Sequence, residues 1–159
     1  MSQAFERNVE KPERAANGAS LGMLTTLLGY HLRRAQIAVF QHFTETMGAA
    51  EITPGQFGVL TVIDSNPGLS QTQLGNALGI DRSTVVAVID RLESRGLVVR
   101  AASPSDRRSH ALRLSEDGAH LLRRLEELVR AHERRIARDL SAEDKAHLID
   151  LLERIARRD

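Results

Sequence analysis

The middle of the chain is divided by helix-capping residues and glycines into two short predicted helices. A capping box at residues 70–73 begins the first helix, and Gly79 ends it. Asp81 is the expected N-cap of the second helix, which ends at Gly96. The connection centred on Gly79 is as short as a helix-turn-helix requires, in which the first helix positions the second.

The second of these helices has one apolar face and one face of small or polar residues. Val85, Val88, Ile89 and Leu92 recur at helical spacing and predict the buried face. Small side chains on the opposite face allow a helix to approach base edges in the major groove, where hydroxyl and guanidinium groups can read them. The predicted base-reading set is Arg82, Ser83, Thr84, Val86 and Ala87, with Asp90 on the same outer face.

Two short β-prone runs follow the second helix and predict a hairpin. They cover residues 97–100 and 110–114, and the loop between them carries Asp106, Arg107 and Arg108. Guanidinium groups suit a narrow, electronegative minor groove, and Asp106 can pair with Arg108 and fix its direction. A basic hairpin directly after a helix-turn-helix predicts a DNA-binding wing.

The remaining elements are predicted to be helices. An apolar stripe predicts one helix of about seven turns from Leu21 to Met47. A capping box at Thr53 begins a helix through Ile63, and Ser115 and Ser141 are N-caps of two terminal helices. Aromatic residues make up only 3% of the chain, which disfavours a β-sandwich. The predicted fold class is mainly α with a small β-hairpin wing.

Composition excludes several classes of function. The chain has 159 residues, a formal net charge of +1 and no cysteine, so disulfides, thiolate zinc sites and thiol redox sensing are excluded. The first twenty residues lack the apolar region of a signal peptide, and we expect no membrane span, a cytoplasmic location and no cofactor.

Several short motifs lie between residues 74 and 118: Leu74-Gly75, Leu78-Gly79, Asp81-Arg82-Ser83-Thr84-Val85, Arg91-Leu92-Glu93, Arg95-Gly96-Leu97-Val98, Asp106-Arg107-Arg108 and Leu112-Arg113-Leu114-Ser115-Glu116-Asp117-Gly118. Taken together, these motifs resemble the MarR family of transcriptional regulators. The resemblance implies a homodimer in which the first and last two helices interlock and hold two winged domains over a pseudo-palindromic operator. It divides the chain into a helical dimerisation region (21–50 and 115–159) and a winged helix-turn-helix domain (53–114). It leaves residues 1–20 uncovered, and we expect these to form a flexible segment.

The same resemblance implies roles for individual residues. Arg108 would enter the minor groove with Asp106 as its partner, and Arg107 would lie near phosphates. Such regulators usually repress, and they respond to small, often aromatic and anionic molecules, such as aromatic acids or their coenzyme A thioesters, bound between the dimerisation helices and the winged domain. The further phosphate-contact candidates are Ser70, Gln71, Thr72 and Arg91, and the effector-binding candidates are Tyr30, His31, Arg33, Arg34, Phe40 and Phe57.

Other interpretations stay open at this point. The effector candidates could instead be surface charge, dimer contacts or core filler, and a winged helix can serve protein contacts without binding DNA. No glycine-rich phosphate loop, nucleophile elbow or paired Ser and His motif indicates an enzyme. The six histidines show no spacing of paired metal ligands, so we expect no metal site.

Overall fold

The structure is a computed structural model that describes residues 18–102 and 110–157. Predicted features at 1–17 and 103–109 therefore lie outside the described residues, including Asp106, Arg107 and Arg108 at the hairpin tip. The helices are α1 (Leu28–Met47), α2 (Pro54–Ser65), α3 (Gln71–Leu78), α4 (Arg82–Ser94), α5 (Glu116–Ile136) and α6 (Ala142–Ala156); 3₁₀ segments cover Gly22–Thr26 and Gly48–Ala50, and the strands are β1 (Val98–Ala102) and β2 (His110–Leu114).

The prediction of one continuous helix from Leu21 to Met47 was wrong at its beginning. The chain forms a 3₁₀ segment, becomes extended at Leu27 (ψ 121°) and enters α1 only at Leu28. An apolar spacing of threes and fours does not distinguish a 3₁₀ turn from an α-turn. The hydroxyls of Thr25 and Thr26 also donate to backbone carbonyl oxygens three residues earlier, at 3.2 and 2.9 Å.

The chain divides into two compact units, with the boundary after Val39 inside α1. The unit from Phe40 onward contains a continuous apolar core to which the last turns of α1 contribute Phe43 and Met47. Helices α2 to α5 and the hairpin supply most of the rest of this core, whose most deeply buried members include Leu60, Ile63, Leu74, Ile89, Leu92, Leu112 and Leu125.

The predicted N-caps are confirmed. In each case the side chain of the cap residue accepts a hydrogen bond from the backbone N–H three residues later, and three of the caps form complete capping boxes. The cap residues are Thr53, Ser70, Asp81, Ser115 and Ser141.

The predicted hairpin is confirmed as an antiparallel pair in which Val98 lies opposite Leu114. The turn after α2 extends this sheet: the N–H of Leu112 donates to the carbonyl of Leu69 at 2.9 Å, and the N–H of Gly68 donates to the carbonyl of Leu112 at 2.8 Å. The base of the hairpin is therefore fixed to the helical core on its outer edge.

The terminal helices bury much less than the core helices do. Leu122, Leu125 and His132 of α5 are buried, whereas Leu128, three residues after Leu125, is exposed. None of the residues of α6 is buried. No helix within the described part of the chain is long and apolar enough to cross a membrane.

Candidate nucleic-acid interface

The turn between α3 and α4 is tight because two glycines permit it. Gly79 adopts a left-handed conformation (φ 64°), and the N–H of Ile80 donates to the carbonyl of Gly75 at 3.0 Å. A Cβ added to Gly75 would lie 3.0 Å from the carbonyl oxygen of Ile80 and 3.2 Å from Cγ2 of Val85, so α4 packs directly on the backbone of α3. This geometry fixes the direction in which α4 leaves the turn.

The two faces of α4 lie as the sequence predicted. Val85, Ile89 and Leu92 are buried, and Val88 packs against the core from its edge. The outer face forms a shallow depression, at the centre of which Val86 and Ala87 are small enough to let the helix approach a groove. The residues that line this depression are Arg82, Ser83, Val86, Ala87 and Asp90.

Asp81 organises the amino end of α4. Its carboxylate accepts hydrogen bonds from the backbone N–H of Thr84 at 2.9 Å, from the hydroxyl of Thr84 at 2.7 Å and from the hydroxyl of Ser83. The hydrogen bond from Ser83, followed by those from Thr84, holds the pKa of Asp81 well below its usual range. The two hydroxyl hydrogens therefore point towards Asp81, and the oxygen lone pairs remain available to an incoming donor.

Sequence reasoning missed an ion-pair cluster beside this face. The guanidinium of Arg100 on β1 donates to the carboxylates of Asp90 and Glu93 on α4. It ties the first strand of the hairpin to the helix and neutralises an acid that would otherwise face a polyanion. The sequence did contain a signal for this cluster: Asp90 and Glu93 are three residues apart on one helix face, and Arg100 follows on the next strand.

Three of the phosphate-contact candidates lie at the amino end of α3. The hydroxyl of Ser70 accepts the capping hydrogen bond from the N–H of Gln73 at 3.2 Å. Gln71 and Thr72 line a second depression between α3 and α4, together with Arg82. Arg91 is exposed on α4. These positions leave the phosphate-contact role a prediction.

Three of the effector candidates lie together on the first turns of α1. The rings of Tyr30 and His31 meet edge to face with centroids 5.5 Å apart, and the guanidinium carbon of Arg34 lies 5.6 Å from the ring centroid of Tyr30. His31 is oriented by a 2.8 Å hydrogen bond between its Nε2 and the carbonyl oxygen of Thr25. Arg33 on the same helix is exposed.

The two phenylalanine candidates belong to the other unit and differ from each other. Phe40 is half exposed, whereas Phe57 packs against the core with its ring centroid 6.4 Å from that of Phe43. Phe57 is therefore partly a core residue, as the alternative interpretation allowed, and an effector role for either phenylalanine stays a prediction.

A pair of histidines was also missed, because its members are 90 residues apart. Nδ1 of His42 on α1 lies 2.7 Å from Nδ1 of His132 on α5, so one of the two nitrogens carries a proton and donates to the other. The rings stack with centroids 4.9 Å apart, and His132 is only 3% exposed. Burial lowers the pKa of His132, the charge of His42 lowers it further, and Glu133 opposes the shift. Within the described ranges, no group of three His, Asp or Glu side chains converges to hold a metal.

A tight two-helix turn followed directly by an antiparallel hairpin defines a winged helix-turn-helix protein. Comparison with known proteins places it more narrowly. The sequence profile of the MarR family matches residues 50–109. A transcriptional regulatory protein for the hcr operon of Thauera aromatica is 43% identical over 139 residues, which are 87% of this chain and 84% of that protein.

Solved structures agree with the sequence comparison. The transcriptional repressor CouR bound to a 23-mer DNA duplex superimposes with a TM-score of 0.82 and 45% identity, covering 87% of this chain and 98% of CouR. CouR bound to p-coumaroyl-CoA gives a TM-score of 0.81 and 41% identity, covering 88% of this chain and 99% of that one. The chain belongs to the MarR family of transcriptional regulators.

Proposed function

We propose that this protein is a ligand-responsive repressor that binds a pseudo-palindromic operator as a homodimer and is released from it by a small aromatic anion. The observation that carries the proposal is the outer face of α4, where small and hydrogen-bonding side chains surround a shallow depression beside a hairpin. Such a protein acts by binding in the cytoplasm, where its DNA is, and not by catalysis.

The amino end of α4 is the part that we expect to read bases. Arg82 is exposed there and can place its guanidinium on a guanine edge. Because the hydroxyl hydrogens of Ser83 and Thr84 are directed to Asp81, their oxygens can accept hydrogen bonds from the amino groups of adenine or cytosine. Val86 and Ala87 add apolar contact of the kind that suits a thymine methyl group.

Residues outside α4 would hold the duplex in register. Ser70, Gln71, Thr72 and Arg91 would contact phosphates if α4 entered the major groove, and Arg107 would contact the backbone from the wing. Arg108, directed by Asp106, would enter the minor groove.

The proposal of a dimer rests on apolar surface that the single chain leaves uncovered. Helix α6 has 15 residues, and none of them is buried. An isolated helix of this length is only marginally stable in water, so α6 needs a packing partner. Leu148 of α6 is 45% exposed and Ile155 is 50% exposed. A second copy of the chain would cover this stripe, with 21–50 and 115–159 as the dimerisation region and 53–114 as the winged domain.

The proposal of an aromatic anionic effector rests on the cluster at the start of α1. Tyr30 offers a ring face, and Arg34 beside it offers a bidentate partner for a carboxylate or a phosphate. CouR, which is similar over nearly its whole length, has been solved with p-coumaroyl-CoA, an aromatic thioester that carries phosphates. Release follows if the effector binds the DNA-incompetent arrangement of the dimer more tightly.

The decisive test is a salt titration of DNA binding with Arg108→Ala beside the wild type. We expect log K of the wild type to fall linearly with log salt, and Arg108→Ala to weaken binding strongly while the dimer persists in sedimentation. Arg123→Ala is a matched control for the loss of a positive charge, because Arg123 on α5 is exposed and pairs with His120, outside the residues proposed to contact DNA. If the wild-type protein binds no duplex at low salt, the proposed function is refuted. If Arg108→Ala is monomeric, Arg108 contributes to the dimer and not to the minor-groove contact.

The effector has a separate test. p-Coumaroyl-CoA and free aromatic acids should raise the melting temperature of the protein and lower its affinity for DNA. Arg34→Ala should lose most of this response without losing DNA binding in the absence of effector. A response that is equal in the wild type and in Arg34→Ala would remove Arg34 from the effector site.

A further inference from the structure

Arg95 follows the last turn of α4, and its side chain is hydrogen-bonded to the backbone of a segment 44 residues earlier in the chain. We call this pair of hydrogen bonds the clasp. One guanidinium nitrogen (Nη1) donates to the carbonyl oxygen of Glu51 at 2.9 Å, and the other (Nη2) donates to that of Ala50, also at 2.9 Å. Both carbonyls belong to the 3₁₀ turn and cap that follow α1. A planar fork matched to two successive carbonyls is a geometry that arginine supplies and lysine does not.

The segment held by this clasp is strained. Glu51 has φ 50° and ψ 42°, and it is the one non-glycine residue with positive φ in the ranges 18–102 and 110–157. Left-handed backbone is unfavourable for a residue with a side chain, and it persists where the surrounding structure enforces it. Arg95 provides part of that enforcement, because it binds the carbonyl of Glu51 itself.

The clasp joins two parts of the chain that contribute to the same core. Phe43 and Met47 from the last turns of α1 belong to the apolar cluster that contains Ile89 and Leu92 of α4. A core contact of this kind resists separation but allows sliding, because apolar contacts have little directional preference. Two hydrogen bonds to fixed carbonyls at the end of α4 would restrict sliding.

We propose that Arg95 is a positioning residue for DNA recognition: it acts through α4, whose end it fixes against the segment after α1, and it does not bind DNA itself. The inference rests on the proposed function, since it concerns the helix that reads the operator. It names a connection through which the segment after α1 sets the position of α4.

The experiment compares Arg95→Ala, Arg95→Lys and Arg91→Ala on the duplex that the wild-type protein enriches from a random pool. Each affinity is calculated from the concentration of DNA-competent protein, which a stoichiometric titration measures. A variant that is partly unfolded is therefore not mistaken for one that binds weakly. Both Arg95 variants should weaken binding about 3- to 30-fold, the range seen for residues that modulate a site without touching the ligand. Their salt slope should equal that of the wild type, whereas Arg91→Ala should reduce the slope by about 1.

A second measurement needs no DNA. In the free protein, amide hydrogen exchange of residues 48–53 and 90–96 should speed up in both Arg95 variants and stay unchanged in Arg91→Ala. If Arg95→Lys keeps full affinity while Arg95→Ala lowers the salt slope, Arg95 is a phosphate contact and the inference is overturned. Unchanged exchange in these segments overturns it as well. If the wild type binds no duplex, the proposed function fails, and the exchange result alone decides whether the clasp fixes α4.

Discussion

At Gly118 the first turn of α5 passes so close to the backbone of Leu97 that a side chain has no room. A Cβ built on Gly118 lies 2.0 Å from the carbonyl oxygen of Leu97, whereas ordinary contacts of a Cβ begin near 3.4 Å. Gly118→Ala therefore requires the helix and the carbonyl to separate by about 1.4 Å. The same carbonyl accepts a 3.0 Å hydrogen bond from the N–H of Ser115, which would be strained or lost.

The expected cost can be worked from these contacts. Overpacking against backbone, which cannot rotate away, is at the upper end of the usual range, about 3 kcal/mol. Loss of the hydrogen bond from Ser115 adds about 1 kcal/mol, and the better helix propensity of alanine returns about 1 kcal/mol. We expect Gly118→Ala to lower the free energy of unfolding by about 3 kcal/mol, which corresponds to a fall in Tm of roughly 6–12 °C for a chain of this size.

The assay is urea and thermal unfolding followed by circular dichroism, at equal protein concentration for every variant because the proposed dimerisation would contribute to stability. Gly58→Ala in α2 is the matched control, since its added Cβ would meet only a methyl group of Leu78 at 3.8 Å. It should stabilise the protein by about 0.5–1 kcal/mol. If Gly118→Ala unfolds within about 0.5 kcal/mol of the wild type, α5 does not pack on residue 97 in the way described.

Three further predictions concern the hairpin, the histidine pair and α6. Arg100→Ala should lower the free energy of unfolding in urea by about 1 kcal/mol. It should also weaken DNA binding, most of all at low salt, because the unpaired carboxylate of Asp90 then repels the phosphates; a loss of affinity that does not depend on salt would contradict this. The pKa of His132 is lower in the folded protein than in the unfolded chain, so the unfolded chain binds more protons as the pH falls below about 6.5. The contribution of His132 to the free energy of unfolding is therefore fully present above that pH and is lost below it. His132→Gln should flatten the fall in urea midpoint between pH 7.5 and 5.5, and an unchanged fall would assign it to other groups. Leu152→Asp should yield monomers in sedimentation, and a persistent dimer would place the interface elsewhere.

Local hydrogen-bond chemistry is the part of the fold that could be read from the sequence. A cap side chain reaches only three residues forward, so Thr53, Ser70 and Asp81 carried the whole of their signal in adjacent residues. The outward face of α4 followed in the same way, because a helix of known start has a known periodicity. The resemblance to the MarR family rested on such local motifs, and the comparisons confirm it.

Contacts between distant residues could not be read in this way. Nothing near His42 in the sequence indicates His132, and nothing near Arg95 indicates the carbonyl of Glu51. Each pair forms because the core brings two helices or their ends together, and a single sequence does not encode such separations by any spacing rule. The ion pairs of Arg100 are an intermediate case. They can be predicted from the sequence only once β1, which follows α4, is known to fold back against that helix.

The sequence by itself determined where most helices begin, the order of helix, turn, helix and hairpin, and which face of α4 is polar. Only the tertiary structure decided which apolar stripes find a partner within the chain. Leu122 and Leu125 of α5 are buried while Leu128 is exposed, although all three are equally apolar. The physical reason is that hydrophobic burial has no direction of its own: periodicity defines a face, but the placement of the neighbouring elements decides how much of it leaves water.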